Sequence, residues 1–226
     1  GNFEYCLELS RAMYYQARLS AWWPSQRAVF GQVSKLVSFA LLQQPDNIDA
    51  LTLRSGAFIG ISDYAKAVSD LEAAIALQPE NAKVHAELGK LYDYLESNLC
   101  ISHMRQAVEI TPAASSEAVA YRMALASMYL HRLQDAKLAA ETFDESRRLT
   151  EDPLEKLGFE VRIASLREGP KATADVAVQY AQRGGKDTLI LLAGVEAFEA
   201  LSQQKQANDM LELAIANAVA DWDFID

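Results

Sequence analysis

The chain has 226 residues, half of them apolar and 9% aromatic, with a formal charge of −10 at pH 7 and a pI near 4.8. That is ample material for a folded core. The acidic excess argues against general nucleic-acid binding, because the basic pair Arg147 and Arg148 sits among Glu141, Asp144, Glu145, Glu151 and Asp152 and makes no patch a phosphate backbone could use. No run of eighteen apolar residues exists: the apolar stretch from Thr188 to Ala200 is too short and carries Glu196 and Glu199, so no membrane span is expected. Alanine and leucine dominate, with only six prolines and ten glycines, which is the composition of helix formers.

In chain order, Phe3 to Leu19 and Ser25 to Gln44 carry helical periodicity and are separated by Trp22, Trp23 and Pro24. Proline there suits the first turn of the second helix. The stretch from Ile48 to Asn81 then places Leu51, Ser55, Phe58, the Asp63-Tyr64 turn, Ala67, Leu71, Ala74, Leu77, Pro79 and Asn81 at fixed offsets. Small Ser55, Ala67 and Ala74 let helix axes approach, while Leu51, Phe58 and Leu71 fill the gaps between them. These offsets resemble a tetratricopeptide repeat (TPR) of 34 residues. Arg54 departs from the pattern, standing where the repeat takes a large apolar residue.

A second copy runs from Ala82 to Pro112, with Leu88, Gly89 and Tyr92 on its first helix and Cys100, Met104 and Ala107 on its second. It is one residue short, at the turn around Ser97 and Asn98. A third carries Leu125, Ala126, Tyr129, Ala139, Phe143 and Ser146 and ends at Pro153, with about one extra residue near Leu133 to Asp135. Ala40 and Pro45 sit at the repeat's spacing, so the first two helices read as a divergent hairpin.

Beyond Pro153, Leu154 to Arg167 and Lys171 to Arg183 are helices split by Glu168, Gly169 and Pro170. Gly184 and Gly185 stop the chain before a last pair, Asp187 to Ser202 and Lys205 to Ala220. The resemblance implies an all-α, right-handed superhelical solenoid of about six antiparallel helix pairs, forming a single domain over residues 1–226.

Chemistry has few places to reside. His85, His103 and His131 form no metal-spaced set, and there is no phosphate-cradling glycine loop and no nucleophile elbow. Cys6 and Cys100 read as buried structural thiols. The expectation is a protein without catalytic residues, metal or cofactor.

In the repeat family the first helix of each hairpin lines the concave groove. Transferring those positions gives Asp49, Thr52, Gly56, Ile59 and Gly60, then Lys83, Ala86, Lys90, Asp93 and Tyr94, then Ala120, Met123, Ser127, Leu130 and His131. Of these, Thr52, Ile59, Lys83, Lys90, Tyr94, Met123, Ser127, Leu130 and His131 are the candidate partner contacts, the alternative being that several of them pack on neighbouring helices. The clamp that some family members use to hold a chaperone tail's carboxylate is absent, since Thr52, Gly56, Glu87, Ala120 and Ala124 occupy its positions. Trp22 with Trp23, and Trp222 with Phe224 in the acidic tail, stand as further contact or capping sites.

The resemblance therefore implies a non-catalytic module that binds a peptide, helix or partner protein in its groove and assembles a larger complex. Two alternatives remain open. One is a self-associating scaffold in which stacking continues between chains. The other is the soluble repeat domain of a larger bacterial envelope, secretion or biosynthesis protein, suggested by a chain that begins Gly1-Asn2 and ends among aromatics. Compartment, cytoplasmic or periplasmic, is left open, and the acidic mean charge leans towards a partner with basic segments.

Overall fold

The computed structural model describes residues 2–19, 23–113 and 115–222. Among these are twelve helices: α1 (Asn2–Leu19), α2 (Trp23–Leu41), α3 (Ile48–Gly60), α4 (Tyr64–Leu77), α5 (Ala82–Tyr94), α6 (Leu99–Ile110), α7 (Ser116–Arg132), α8 (Ala136–Leu149), α9 (Pro153–Arg167), α10 (Pro170–Gln182), α11 (Thr188–Ala200) and α12 (Gln204–Trp222). No described residue is in a strand, so the chain is an all-α helical repeat of six helix pairs. None of these helices is long and apolar enough to cross a membrane.

The repeat is visible in how the helices begin. Asn47, Asn81 and Ser115 recur every 34 residues, and each accepts a hydrogen bond from the backbone N–H three residues on, Ala50, Val84 and Ala118, at 2.9, 3.2 and 3.1 Å. Each cap satisfies one of the donors that a helix start leaves without a partner. Asp135, Asp152 and Asp187 do the same for α8, α9 and α11.

The turns inside the pairs repeat as well. Ser62 and Glu96 take left-handed backbone angles, φ 66° and 59°, and the next N–H folds back to the helix: Asp63 to the Phe58 carbonyl and Ser97 to the Tyr92 carbonyl, both 2.8 Å. Gly184 and Ser202 close α10 and α11 in the same way. In the third pair the Asp135 N–H reaches the Tyr129 carbonyl, six residues back rather than five, which takes up the extra residue expected near Leu133 to Asp135.

Most helix bounds fall within one or two residues of the sequence reading, and the largest difference is at the end of α2. Helix α2 stops at Leu41 rather than Gln44, because Gln43 N–H tightens onto the Ala40 carbonyl at 2.9 Å and Pro45 follows. Helix α7 has 17 residues where α3 and α5 have 13: its Ser115 cap follows Asn81 by 34 residues, whereas Leu125, Ala126 and Tyr129 follow Leu88, Gly89 and Tyr92 by 37, so α7 starts three residues ahead of its packing positions.

The chain divides into two compact units, Gly1–Ile110 and Thr111–Asp226. In the first, successive helices α1 to α6 pack in order and α1 also touches α3. Its core joins Phe3, Leu7, Val33, Val37, Leu51, Leu71 and Leu88. In the second, α7 to α12 pack in order and α9 also touches α11, around Val161, Tyr180, Leu191 and Phe198.

Small repeat residues set the helix spacing. Ser55, Ala67, Ala74, Cys100, Ala107 and Ala126 are buried, and a Cβ on Gly89 would stand 3.2 Å from the Cys100 carbonyl, so α5 and α6 cross nearly backbone to backbone. Cys6 and Cys100 are both buried thiols. Trp22 and residues 223–226, Phe224 included, lie outside the described residues, as do the side chains of Trp23 and Trp222.

Candidate partner-binding site

In the first unit the first helix of each pair, α1, α3 and α5, together line a cavity of about 220 Å³. Helix α1 supplies Arg11, Tyr14, Tyr15 and Arg18, helix α3 supplies Asp49, Thr52, Gly56 and Ile59, and helix α5 supplies Lys83 and Glu87. The α1 set recurs at three- and four-residue intervals, which places it on one helical face.

Two glycines seat the aromatic residues. A Cβ on Gly56 would lie 2.6 Å from the Tyr14 hydroxyl oxygen, and one on Gly60 would lie 2.3 Å from the Phe30 ring. The Tyr14 and Phe30 rings therefore rest directly on the α3 backbone. They meet edge to face with centroids 5.5 Å apart, and Tyr15 packs edge-on to Tyr14 at 5.7 Å while remaining 59% exposed. Burial raises the Tyr14 hydroxyl pKa, partly opposed by Arg18, whose guanidinium lies 6.0 Å from the ring centroid.

The electrostatics depart from the chain's mean. Arg11, Arg18 and Lys83 face Asp49 and Glu87 in the lining, and with Glu8, which pairs with Arg11, the charges balance within an acidic protein. Arg11 bridges Glu8 at 2.7 Å and Asp49 at 2.9 Å, which ties α1 to α3 across the cavity mouth. The Thr52 hydroxyl donates to the Ile48 carbonyl at 2.8 Å, leaving its oxygen and methyl for the cavity.

Of the candidate contacts, Thr52, Ile59 and Lys83 are brought together here. Lys90 lies two turns beyond Lys83 on α5 and pairs with Glu87 at 3.2 Å. Tyr94, at the end of α5, is outside the cavity lining. Its ring tilts against Tyr64, with centroids 5.1 Å apart and the hydroxyls 3.1 Å apart.

The second unit has its own cavity, of about 280 Å³, lined by Val119 and Met123 of α7, Leu154, Gly158 and Arg162 of α9, and Ile190 of α11. Met123 is its only member among the candidate contacts. Ser127 and His131 are exposed and Leu130 half-buried elsewhere on α7. The Arg162 guanidinium holds Asp187 at 3.1 Å beside Ile190.

Sequence reading missed the α1 contribution, because the repeat pattern is degenerate there. The available signal was the spacing of Arg11, Tyr14, Tyr15 and Arg18 on one helix face. It also missed the partner of Arg54. The guanidinium bonds both carboxylate oxygens of buried Asp70, Nε to Oδ2 at 2.8 Å and Nη2 to Oδ1 at 2.6 Å, so the departure at this repeat position is compensated from α4.

No known protein-family model matches the chain. Solved structures do. The chain is similar to a tetratricopeptide repeat protein from Parabacteroides merdae (TM-score 0.73, 12% identity, covering 96% of this chain and 80% of that one). It is also similar to PilF from Pseudomonas aeruginosa (TM-score 0.67, 20% identity, 94% and 90% covered). A third likeness is to YrrB, described as a TPR protein with an unusual peptide-binding site (TM-score 0.55, 13% identity, 80% and 91% covered). The fold is therefore that of the tetratricopeptide-repeat proteins.

Proposed function

We propose that residues 1–226 act as one non-catalytic interaction module, in which the α1, α3 and α5 face holds a segment of a peptide or partner protein and so assembles a larger complex. The observation that carries this reading is the cavity itself. Exposed Tyr15 and Ile59 offer apolar contact beside a cationic rim of Arg18 and Lys83, on the helices that line the groove in this fold. An aromatic anchor flanked by positive charge suits an extended segment with an apolar side chain and acidic neighbours. That preference follows the local charge rather than the acidic mean.

The test is affinity capture from a lysate of the native source with the wild-type chain and with Tyr15→Ala/Lys83→Glu. Both substitutions fall on exposed side chains, so the variant should keep its helical circular dichroism. A partner recovered with the wild type and lost with the variant supports the reading. Equal recovery with both places the binding surface elsewhere.

A further inference from the structure

A second cavity in the first unit lies between α2, α3 and α4, has a volume of about 590 Å³, and shares no lining residue with the α1, α3 and α5 site. Its lining carries three cations, Lys35, Arg54 and Lys66, against a single carboxylate, Asp70. Both oxygens of Asp70 already accept from Arg54, so that carboxylate offers little to a ligand. Arg54 spends a third N–H on the Ser38 hydroxyl at 3.2 Å, which leaves two of its five donors uncommitted.

The other groups extend the same bias. Arg54 and Lys66 both stand over the Phe58 ring, 5.8 and 5.4 Å from its centroid, so two positive charges converge on one wall. Lys35 makes no ion pair among the described residues. Lys66 is held by Asp63 at 2.5 Å, and even with that carboxylate counted the pocket remains positive within a chain of charge −10. Ser34 and Ser38 donate their hydroxyl hydrogens to the carbonyls of Gly31 and Ser34, which leaves Ser69 as the hydroxyl with a proton to give. The pocket is rich in donors and nearly without free acceptors, so a complementary ligand must bring acceptors and negative charge.

The chain's own repeats show that this arrangement is not required for packing. At the position of Arg54 the next two copies carry Leu88 and Leu125, both buried. Replacing a buried ion pair by apolar residues is commonly neutral or stabilising, so stability alone does not call for Arg54 and Asp70 here.

We propose that the pocket between α2, α3 and α4 is a binding site for a phosphate-class oxyanion, held by Lys35, Lys66, the free Arg54 N–H groups and the Ser69 hydroxyl. The cavity is far larger than a bare tetrahedral ion, so the group belongs to a phosphomonoester. Its source is either a small phosphorylated molecule or a phosphorylated side chain of a peptide.

The test is a two-dimensional amide NMR titration with inorganic phosphate at constant ionic strength, with chloride as the reference. Saturable shifts confined to residues 34–38, 54–58 and 66–70 are expected, with about tenfold weaker binding in Lys35→Gln/Lys66→Gln, whose side chains are exposed. Arg54→Leu/Asp70→Leu, which places at 54 the leucine of the other copies and removes the carboxylate that would otherwise be left without its partner, should fold and lose the response. If that variant does not fold, the lysine variant decides alone. Shifts that do not saturate, that scatter over the surface, or that persist at wild-type affinity in the lysine variant overturn the proposal. Parallel titrations with glycerol 3-phosphate and with a capped Gly-phosphoserine-Gly tripeptide assign the source by whichever binds more tightly, and equal binding of both would support the phosphate group itself as the recognised element.

Discussion

Gly60 and Gly31 show how far a single hydrogen atom can be decided by its surroundings. Gly31 sits inside α2, where alanine is favoured over glycine by about 1 kcal/mol, and Gly60 is the last residue of α3. A Cβ on Gly31 meets nothing within 4 Å, whereas one on Gly60 would stand 2.3 Å from the buried Phe30 ring. Gly31→Ala should therefore stabilise the protein by about 0.5–1 kcal/mol. Gly60→Ala should destabilise it by about 1–3 kcal/mol, since overpacking outweighs the propensity gain. Urea midpoints of the two variants, measured together, check the opposite signs.

The histidine pair gives a prediction in pH. The Pro79 carbonyl can only accept, so His85 Nε2 donates to it at 3.0 Å and His85 Nδ1 is left to accept from His103 Nδ1 at 3.1 Å. His103 also stacks on Tyr92, and burial first, then the neighbouring His85, lowers its pKa below the ordinary 6.5, opposed by Glu72. With a lowered folded-state pKa, the unfolded chain binds the proton more readily. The stability contributed is full above pH 6.5 and falls as the pH drops through the ordinary value towards the lowered one. Comparing urea midpoints at about pH 7.5 and about pH 5.5 should show a smaller loss in His103→Gln than in the wild type.

At the level of helices, the caps carry the repeat's phase. Asn47→Ala and Asn81→Ala should each cost about 1 kcal/mol, because the Ala50 and Val84 N–H groups lose their acceptors. Asp63→Ala should cost less, since Asp63 starts α4 without a side-chain cap bond and its bond to Lys66 is largely exposed. Thermal or urea denaturation of the three variants ranks them directly.

The same scale explains what could be read from sequence. The pairs over residues 48–150 were legible because the small residues and the larger ones between them recur at fixed offsets, and the structure turns those offsets into close approaches between helices. The α1 half of the cavity was not, because Arg11, Tyr14, Tyr15 and Arg18 obey helical spacing alone and only the packing of α1 on α3 brings them into one cavity lining. The pairing of Arg54 with Asp70 joins adjacent helices, and a repeat template has no place for it. Tyr94 and Met123 were expected with Thr52 and Lys83. The structure instead gives Tyr94 a tyrosine partner and Met123 a separate cavity in the other unit.

For the whole molecule, net charge and local charge point in different directions. The chain is acidic overall, yet the α2, α3 and α4 cavity is cationic in its lining and the α1, α3 and α5 cavity carries Arg18 and Lys83 at its rim. Partner choice on this account follows the side chains within reach rather than the mean charge, whose influence beyond about 8–10 Å is screened at physiological salt. The most direct measurement is site-specific photo-crosslinking in the native source's lysate, with a photoreactive residue at Thr52 inside the α1, α3 and α5 cavity and, in a separate variant, at exposed Leu42. The account predicts a discrete protein or peptide adduct from position 52, competed away by unlabelled wild-type chain, and none from position 42. Adducts from position 42 with none from position 52 would contradict it.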